Sequence, residues 1–505
     1  MFRRTTRFAL IGALTVGALA LSACSGSNSD QNQDPGTPDP DASLAVGLVL
    51  EPTNLDIRHT SGAAIEQVLV DNVYEGLVTR TEDNTIEPRL ATDYEESDDG
   101  LTYTFTLQEG VTFHDGEDLT ADDVVDSYNA VREDDSLQGN EEFAGVASVK
   151  APDDSTVVIT LDEPNQNFLF TLTTPAGLVF NKGDKTDLKT AENGSGPFTL
   201  GTWSQGNTLS LERFDDYWGD KATIGEVVFH YIPDFTAGVN AALDGTLDVL
   251  TAVDPNLVEQ VEDSGEFEIT RGRTTDKGTL VFNSKAAPLD DPDVRKALRM
   301  AIDHDALVEA VGAGTTQYGP IPELDPGYED LSDVVTYDPA AAKDLLAQAG
   351  YADGLNLTLT IPSLYGTTVG QVLISDFSKI GVTLKVNRVE FPTWLDDVYT
   401  NRDFELSFVL HVEPRDFGSW TDPDYYFGYD NPEVQDLYAE AMKTVDADES
   451  AALLAKAARI VSEDNPADWL YTGETLTAVR PVVSGFPKES VNSRINLAGV
   501  TRAAD

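Results

Sequence analysis

Between residues 355 and 412 the chain switches repeatedly between two hydrophobic periods, and this constrains its fold more than any other feature. Leu355–Ile361, Val382–Val389 and Phe404–Val412 are short runs rich in apolar and β-branched residues and predict strands; Val369–Ile380 and Trp394–Tyr399 predict helices. Strands alternating with helices imply right-handed crossovers and a mainly parallel sheet, hence an α/β fold class. Ligands of such sheets bind beyond the carboxyl ends of the strands. Two segments hold that position here, 362–368 and 411–424.

The flanking sequence agrees. Asp291-Pro292 opens a helix whose Val294, Ala297, Leu298, Ala301 and Ile302 form one apolar stripe, and Asp338-Pro339 opens another that Gly350 closes. The first half is richer in strand and loop. A strand-like run from Leu44 to Leu50 leads into the loop Glu51–Asp56, and Leu101–Leu107 alternates apolar residues with threonine, so one face is buried. After the turn His114-Asp115-Gly116, Thr120 and Asp123 stand at capping-box spacing before a helix that runs to about Val131. Thr156–Leu161 is a further strand, and Asn193-Gly-Ser-Gly-Pro197 a turn.

The chain has one cysteine, Cys24, so no internal disulfide is available and its cores must hold it together. Arg3, Arg4 and Arg7 lead into a fourteen-residue apolar run, Phe8–Leu21, short of the ~20 residues a spanning helix needs. The run predicts a secretory signal over 1–23. Leu21-Ser22-Ala23-Cys24 resembles a bacterial lipoprotein cleavage box, which implies lipidation of Cys24 and attachment to the outer face of a cell membrane. Residues 24–43 lack large apolar side chains and read as a flexible tether. The net charge is −55; removing 1–23 leaves 30 basic against 88 acidic side chains, near −58. Nucleic acid and anionic lipid surfaces are thereby excluded as partners, and the charge reads as a solubility or salt adaptation.

No nucleophile elbow, zinc-helix motif, phosphate loop or calcium-loop spacing is present, and the five histidines are scattered. No catalytic residue, metal ligand or cofactor is expected. His114-Asp115 reads as a hydrogen-bonded turn, Gly312-Ala-Gly314 as a helix end and Asp290–Asp293 as a helix cap. One segment gathers unlike polar groups outside a strand end: His411-Val-Glu413-Pro-Arg415-Asp416-Phe-Gly-Ser-Trp420. Glu413, Arg415 and Asp416 are candidates for the charged ends of a zwitterion, with Trp420 as an aromatic wall and an internal Arg415 salt bridge as the alternative.

Several blocks of the chain resemble the peptide/nickel-type solute-binding proteins (family 5) of bacterial ABC importers, over about Leu44–Trp469. They are Asp71–Leu77, Gly100–Gly116 with Leu119–Val125, Gly194–Phe198, Asp293–Leu298 and Tyr337–Leu346. The resemblance implies a two-lobed periplasmic-binding-protein-like fold of type II. The first lobe would hold 44–282 with 471–505, including an extra sheet-rich domain over about 79–197, and the second 283–470, with a hinge closing on the ligand. It implies a monomeric receptor that passes a peptide-like solute to permease subunits, with Thr53, Asn54, Tyr365 and His411 joining Glu413, Arg415, Asp416 and Trp420 as ligand contacts. The chain departs from its dipeptide-binding relatives at two places: Arg415 stands where an acid holds the peptide ammonium, and Leu364 where an arginine holds the carboxylate. Either Arg415 receives an acidic group or Asp416 takes the ammonium after a one-residue shift. A longer peptide, a metal chelate or another small solute are the other ligands considered, and a surface sensor of the same fold the other role.

Overall fold

The computed structural model describes residues 37–489 and 494–504. The expected signal, Cys24 and most of the tether lie outside these residues. Among the described residues no helix is long and apolar enough to cross a membrane.

The central element is a mixed sheet. In spatial order its strands are 382–389, 355–362, 406–411, 268–282, 467–479, 249–250, 43–48, 226–231, 208–213 and 198–204, with 315–316 paired to 467–479. Val382–Val389, Leu355–Pro362 and Leu406–His411 run parallel, as the alternating periods predict. The sheet is less parallel than expected because Glu268–Phe282 pairs antiparallel with Leu406–His411, and Ala467–Val479 in turn pairs antiparallel with Glu268–Phe282. Their register breaks between Arg273 and Lys277, where Thr274, Thr275 and Asp276 bulge out of the ladder. On one side of that bulge Leu476 and Ala478 join an apolar cluster with Val261 and Phe267; on the other Leu280, Phe282 and Leu470 join the core beneath the parallel strands. A bulge bends a ladder and raises its twist, so one strand pair feeds two cores at an angle.

Apart from this sheet, Ala91–Glu96, Thr102–Leu107, Thr156–Leu161 and Val146–Asp153 form a four-stranded antiparallel sheet. Tyr103, Phe105 and Leu107 point into its core with Val157, Ile159 and the helix Ala121–Glu133. Asp123 accepts the N–H and the hydroxyl of Thr120 at 2.8 and 2.9 Å, so the spacing read from sequence does cap this helix. The stripe Val294, Ala297, Leu298, Ala301 and Ile302 is wholly buried.

Three of the blocks that carry the family resemblance, Asp71–Leu77, Gly100–Gly116 and Gly194–Phe198, lie in the first half and act structurally. Glu75, fully buried, pairs with Arg89 at 2.6 Å and accepts from Tyr217, Ser195 and Trp218. His114 joins Glu192 at 2.5 Å and the Gly196 carbonyl at 2.9 Å, as a hydrogen-bonded turn. A Cβ at Gly194 or Gly196 would stand 1.9 Å from the Val73 oxygen or 2.5 Å from the Asn72 oxygen, which is why that turn is glycine-rich.

Candidate functional site

The strand Leu406–His411 ends at a loop that enters a cleft. Pro414 precedes Arg415, whose backbone takes left-handed angles (φ 51°, ψ 28°) and whose N–H donates to Asp325 Oδ2 at 2.7 Å. A non-glycine residue seldom adopts that conformation without being held there, and at a cleft it aims a side chain. The Arg415 guanidinium lies 4.4 Å from the Phe170 ring centroid and donates to Asn167 Oδ1 at 3.3 Å.

Arg415 separates two cavities. The larger, about 550 Å³, is lined by Glu66, Arg80, Glu142, Phe170, Glu413 and Arg494, among others. The smaller, about 270 Å³, is lined by Ile86, Leu169, Ile321, Phe417 and Leu454 together with Asp325 and Asp416, among others. They share Asn167, Arg415, Tyr438 and Met442. Together they are of the size of ordinary small-solute sites, ~300–1,000 Å³. The walls come from sequence-distant segments that hydrogen-bond across the cleft. Asn84 Nδ2 donates to the Leu324 carbonyl at 3.0 Å, and Gln166 Nε2 to the Thr444 and Val445 carbonyls at 2.5 and 2.7 Å.

Below the loop, Lys277 is almost wholly buried. Its Nζ donates to the carbonyls of Thr275 and Glu413 at 3.0 Å each and pairs with Asp416 Oδ1 at 3.2 Å. Asp416 therefore pairs with Lys277, and Arg415 has no carboxylate partner among the described residues. Burial lifts the Asp416 carboxyl to about 6, with Lys277 opposing. Burial and the Lys277 charge depress His411 to about 3, so its ring is neutral at physiological pH and its 3.9 Å approach to Asp416 is no ion pair.

The structure brings Glu413 and Arg415 to the larger cavity and Arg415 and Asp416 to the smaller. Trp420 lines neither: it stacks on Phe427 at 4.0 Å and meets Trp469 edge-on, inside a core. His411 binds the Tyr426 hydroxyl at 2.9 Å, and Tyr365 packs on Phe408 while its hydroxyl accepts the Leu410 N–H, so neither lines these cavities. Thr53 and Asn54 also stand outside them, in a turn where Asn54 Oδ1 takes the Asp56 N–H at 2.9 Å. Leu364 is 60% exposed. Sequence reasoning missed Arg80, Asn167, Phe170, Tyr438 and Arg494. Their separation along the chain is too large for any local pattern, and the usable signal is rarity, since only 33 side chains are Lys or Arg.

Among the described residues no group of three or more His, Cys, Asp or Glu side chains is placed to hold a metal ion. Comparison with known proteins agrees with this architecture. The chain is 28% identical to the heme-binding protein A of Haemophilus influenzae over 82% of its own length and 84% of the relative's. It is likewise 28% identical to the dipeptide-binding protein of Escherichia coli, covering 79% of this chain and 83% of that one. The solved structure of the ABC transporter substrate-binding protein CtaP from Listeria monocytogenes superposes with a TM-score of 0.83 at 23% identity, covering 92% of this chain and all of that one, which supports the fold. The model of the bacterial extracellular solute-binding proteins, family 5 middle region, matches residues 85–435, and the chain belongs to that family.

Proposed function

We propose that the protein is an extracellular receptor that closes on a peptide-like solute in the cleft at Arg415 and delivers it to the permease of an ABC importer. The observation that carries this reading is the paired cavity itself, walled by 61–176 with Arg494 on one side and by 320–326 and 413–454 on the other, at the end of a parallel-sheet strand. The bulge at 273–277 in the two long strands supports a hinge there, dividing the chain into lobes near Arg273 and Glu474. Peptide is favoured over heme or chelate because charged groups of both signs, Glu66, Glu142 and Glu413 with Arg80, Arg415 and Arg494, line one cavity, as a zwitterion requires.

Two experiments test the reading. Solute at 100 times its dissociation constant stabilises a receptor by ~2.7 kcal/mol, so a peptide pool is expected to raise the melting temperature and to be recovered unchanged. A flat melting response, or cleaved peptide, counts against it. Cys24 is the proposed lipid anchor: Cys24→Ser is expected to move the protein from the cell membrane into the medium, and a variant that stays membrane-bound removes the anchor.

A further inference from the structure

A chain with 88 acidic and 33 basic side chains places three arginines, Arg80, Arg415 and Arg494, around one cavity. Two of them share an aromatic ring: the Arg80 and Arg415 guanidinium carbons lie 4.5 and 4.4 Å from the Phe170 centroid. Like charges held this close repel, and neither has a carboxylate within ion-pair reach among the described residues. Arg80 donates to Asn84 Oδ1 at 3.0 Å and Arg415 to Asn167 Oδ1, both neutral amides. Arg494, nine-tenths buried, pairs through one Nη with Asp71 at 2.7 Å. The buried Nε of Arg80, Nε of Arg415, and Nε and Nη1 of Arg494 have no acceptor among the described residues.

The nearby acids do not answer these donors. Glu66 takes the Gly62 N–H and is itself pushed up by burial, Glu142 and Glu413 are exposed, and Asp325 is engaged by Asn84 and the Arg415 backbone. Burial, followed by the Arg494 charge, lowers Arg80 to about 9, with Arg415 adding to the effect, as expected of a cation awaiting a counter-charge. Orphaned N–H donors on buried guanidinium groups are costly, and carboxylate and phosphate oxygens are the acceptors that match such forks. Past Arg415 the adjoining cavity offers an apolar wall of Ile86, Leu169, Ile321, Phe417 and Leu454, with Asp325 and Asp416 at its polar part.

We propose that the solute carries an oxyanion, carboxylate or phosphate, seated among Arg80, Arg415 and Arg494, and an apolar group lodged in the smaller cavity beyond Arg415. This rests on the receptor reading above and names the chemistry of its ligand.

The test incubates the purified full chain with a pool of di- to pentapeptides, or with the same pool after methyl esterification of every carboxyl group, and reads retained mass by native mass spectrometry. The acid pool is expected to be retained about tenfold more, the worth of one charge-assisted hydrogen bond. Arg80→Gln and Arg494→Lys, the latter keeping a cation beside Asp71, are expected to shrink that preference. Equal retention of the two pools by the unaltered chain overturns the proposal and leaves the peptide receptor standing, whatever the variants do. If neither pool is retained, succinate and inorganic phosphate decide. An Arg494-dependent rise in melting temperature with one of them supports the oxyanion seat, identifies carboxylate or phosphate, and removes the peptide reading; no rise with either overturns both.

Discussion

Burial sets the ionisation of individual acids around the cleft, and Asp276 shows it most cleanly. It sits in the bulge beside Lys277 and near Glu413, Tyr365 and Tyr471. Burial holds its carboxyl at about 6, Lys277 opposing and Glu413 reinforcing, against ~3.9 in an unfolded chain. The folded form thus takes up this proton at a higher pH than the unfolded form does. Its contribution to stability is complete below pH ~4 and is lost as pH rises through about 6. Asp276→Asn is neutral throughout, so the variant is expected to match the parent near pH 4 and exceed it by about 2–3 kcal/mol at pH 7, read by urea denaturation. A difference between variant and parent that does not change with pH refutes the assignment. The same logic separates the acids of the polar loop: Asp416 was legible as a candidate from its place after a strand, but its partner Lys277 was not, because the two are 139 positions apart and meet only through the ladder of Lys277 with His411.

Among the elements, the helix Ala121–Glu133 owes its start to one carboxylate with two tasks. Asp123 Oδ2 caps Thr120, and Oδ1 accepts the Lys182 N–H at 2.9 Å, tying the helix to the segment after Val179. Asp123→Ala is expected to cost about 2–3 kcal/mol, a lost cap plus an orphaned N–H, together with faster amide exchange in 121–133; a loss under about 0.5 kcal/mol contradicts the double role. Sequence showed the first task through spacing and hid the second, which is tertiary. Elements whose pattern answers to a single core were readable throughout: the threonine alternation of 102–107, the stripe of 292–300 and the three parallel strands. Glu268–Phe282 was not, because its pattern changes in mid-strand, mostly polar and partly exposed up to Arg273 and buried from Thr274 onward except at Asp276. Arg295 misleads in a similar way. It falls beside the apolar stripe, yet is buried and donates to the carbonyls of Leu289, Asp464 and Asn465, closing the end of the helix Ala447–Asp464.

For the whole molecule, hydrogen bonds and an ion pair between Lys443 and Glu163 bridge the cleft, and the neutral bonds of Gln166 bear on how tightly a solute is kept. Gln166 Nε2 reaches the carbonyls of Thr444 and Val445, and its own N–H reaches the Met442 carbonyl. These link the sheet-rich part of the chain to the end of the helix Pro432–Lys443, directly beside Met442, which lines both cavities. A bond made only when the two sides meet adds nothing to an open form and raises the fraction of chains closed on ligand, so its loss appears in dissociation of the solute. Removing two side-chain bonds of ~0.5–1.5 kcal/mol each is expected to raise the dissociation constant about tenfold in Gln166→Ala, almost entirely through a faster off-rate. The melting temperature without ligand should stay within a few degrees of the parent. If instead the variant melts much lower while its affinity for retained peptides is unchanged, Gln166 braces one body, and closure must be sought in the other contacts across the cleft, Asn84 with Leu324 and Asp325, Arg415 with Asn167, and Lys443 with Glu163.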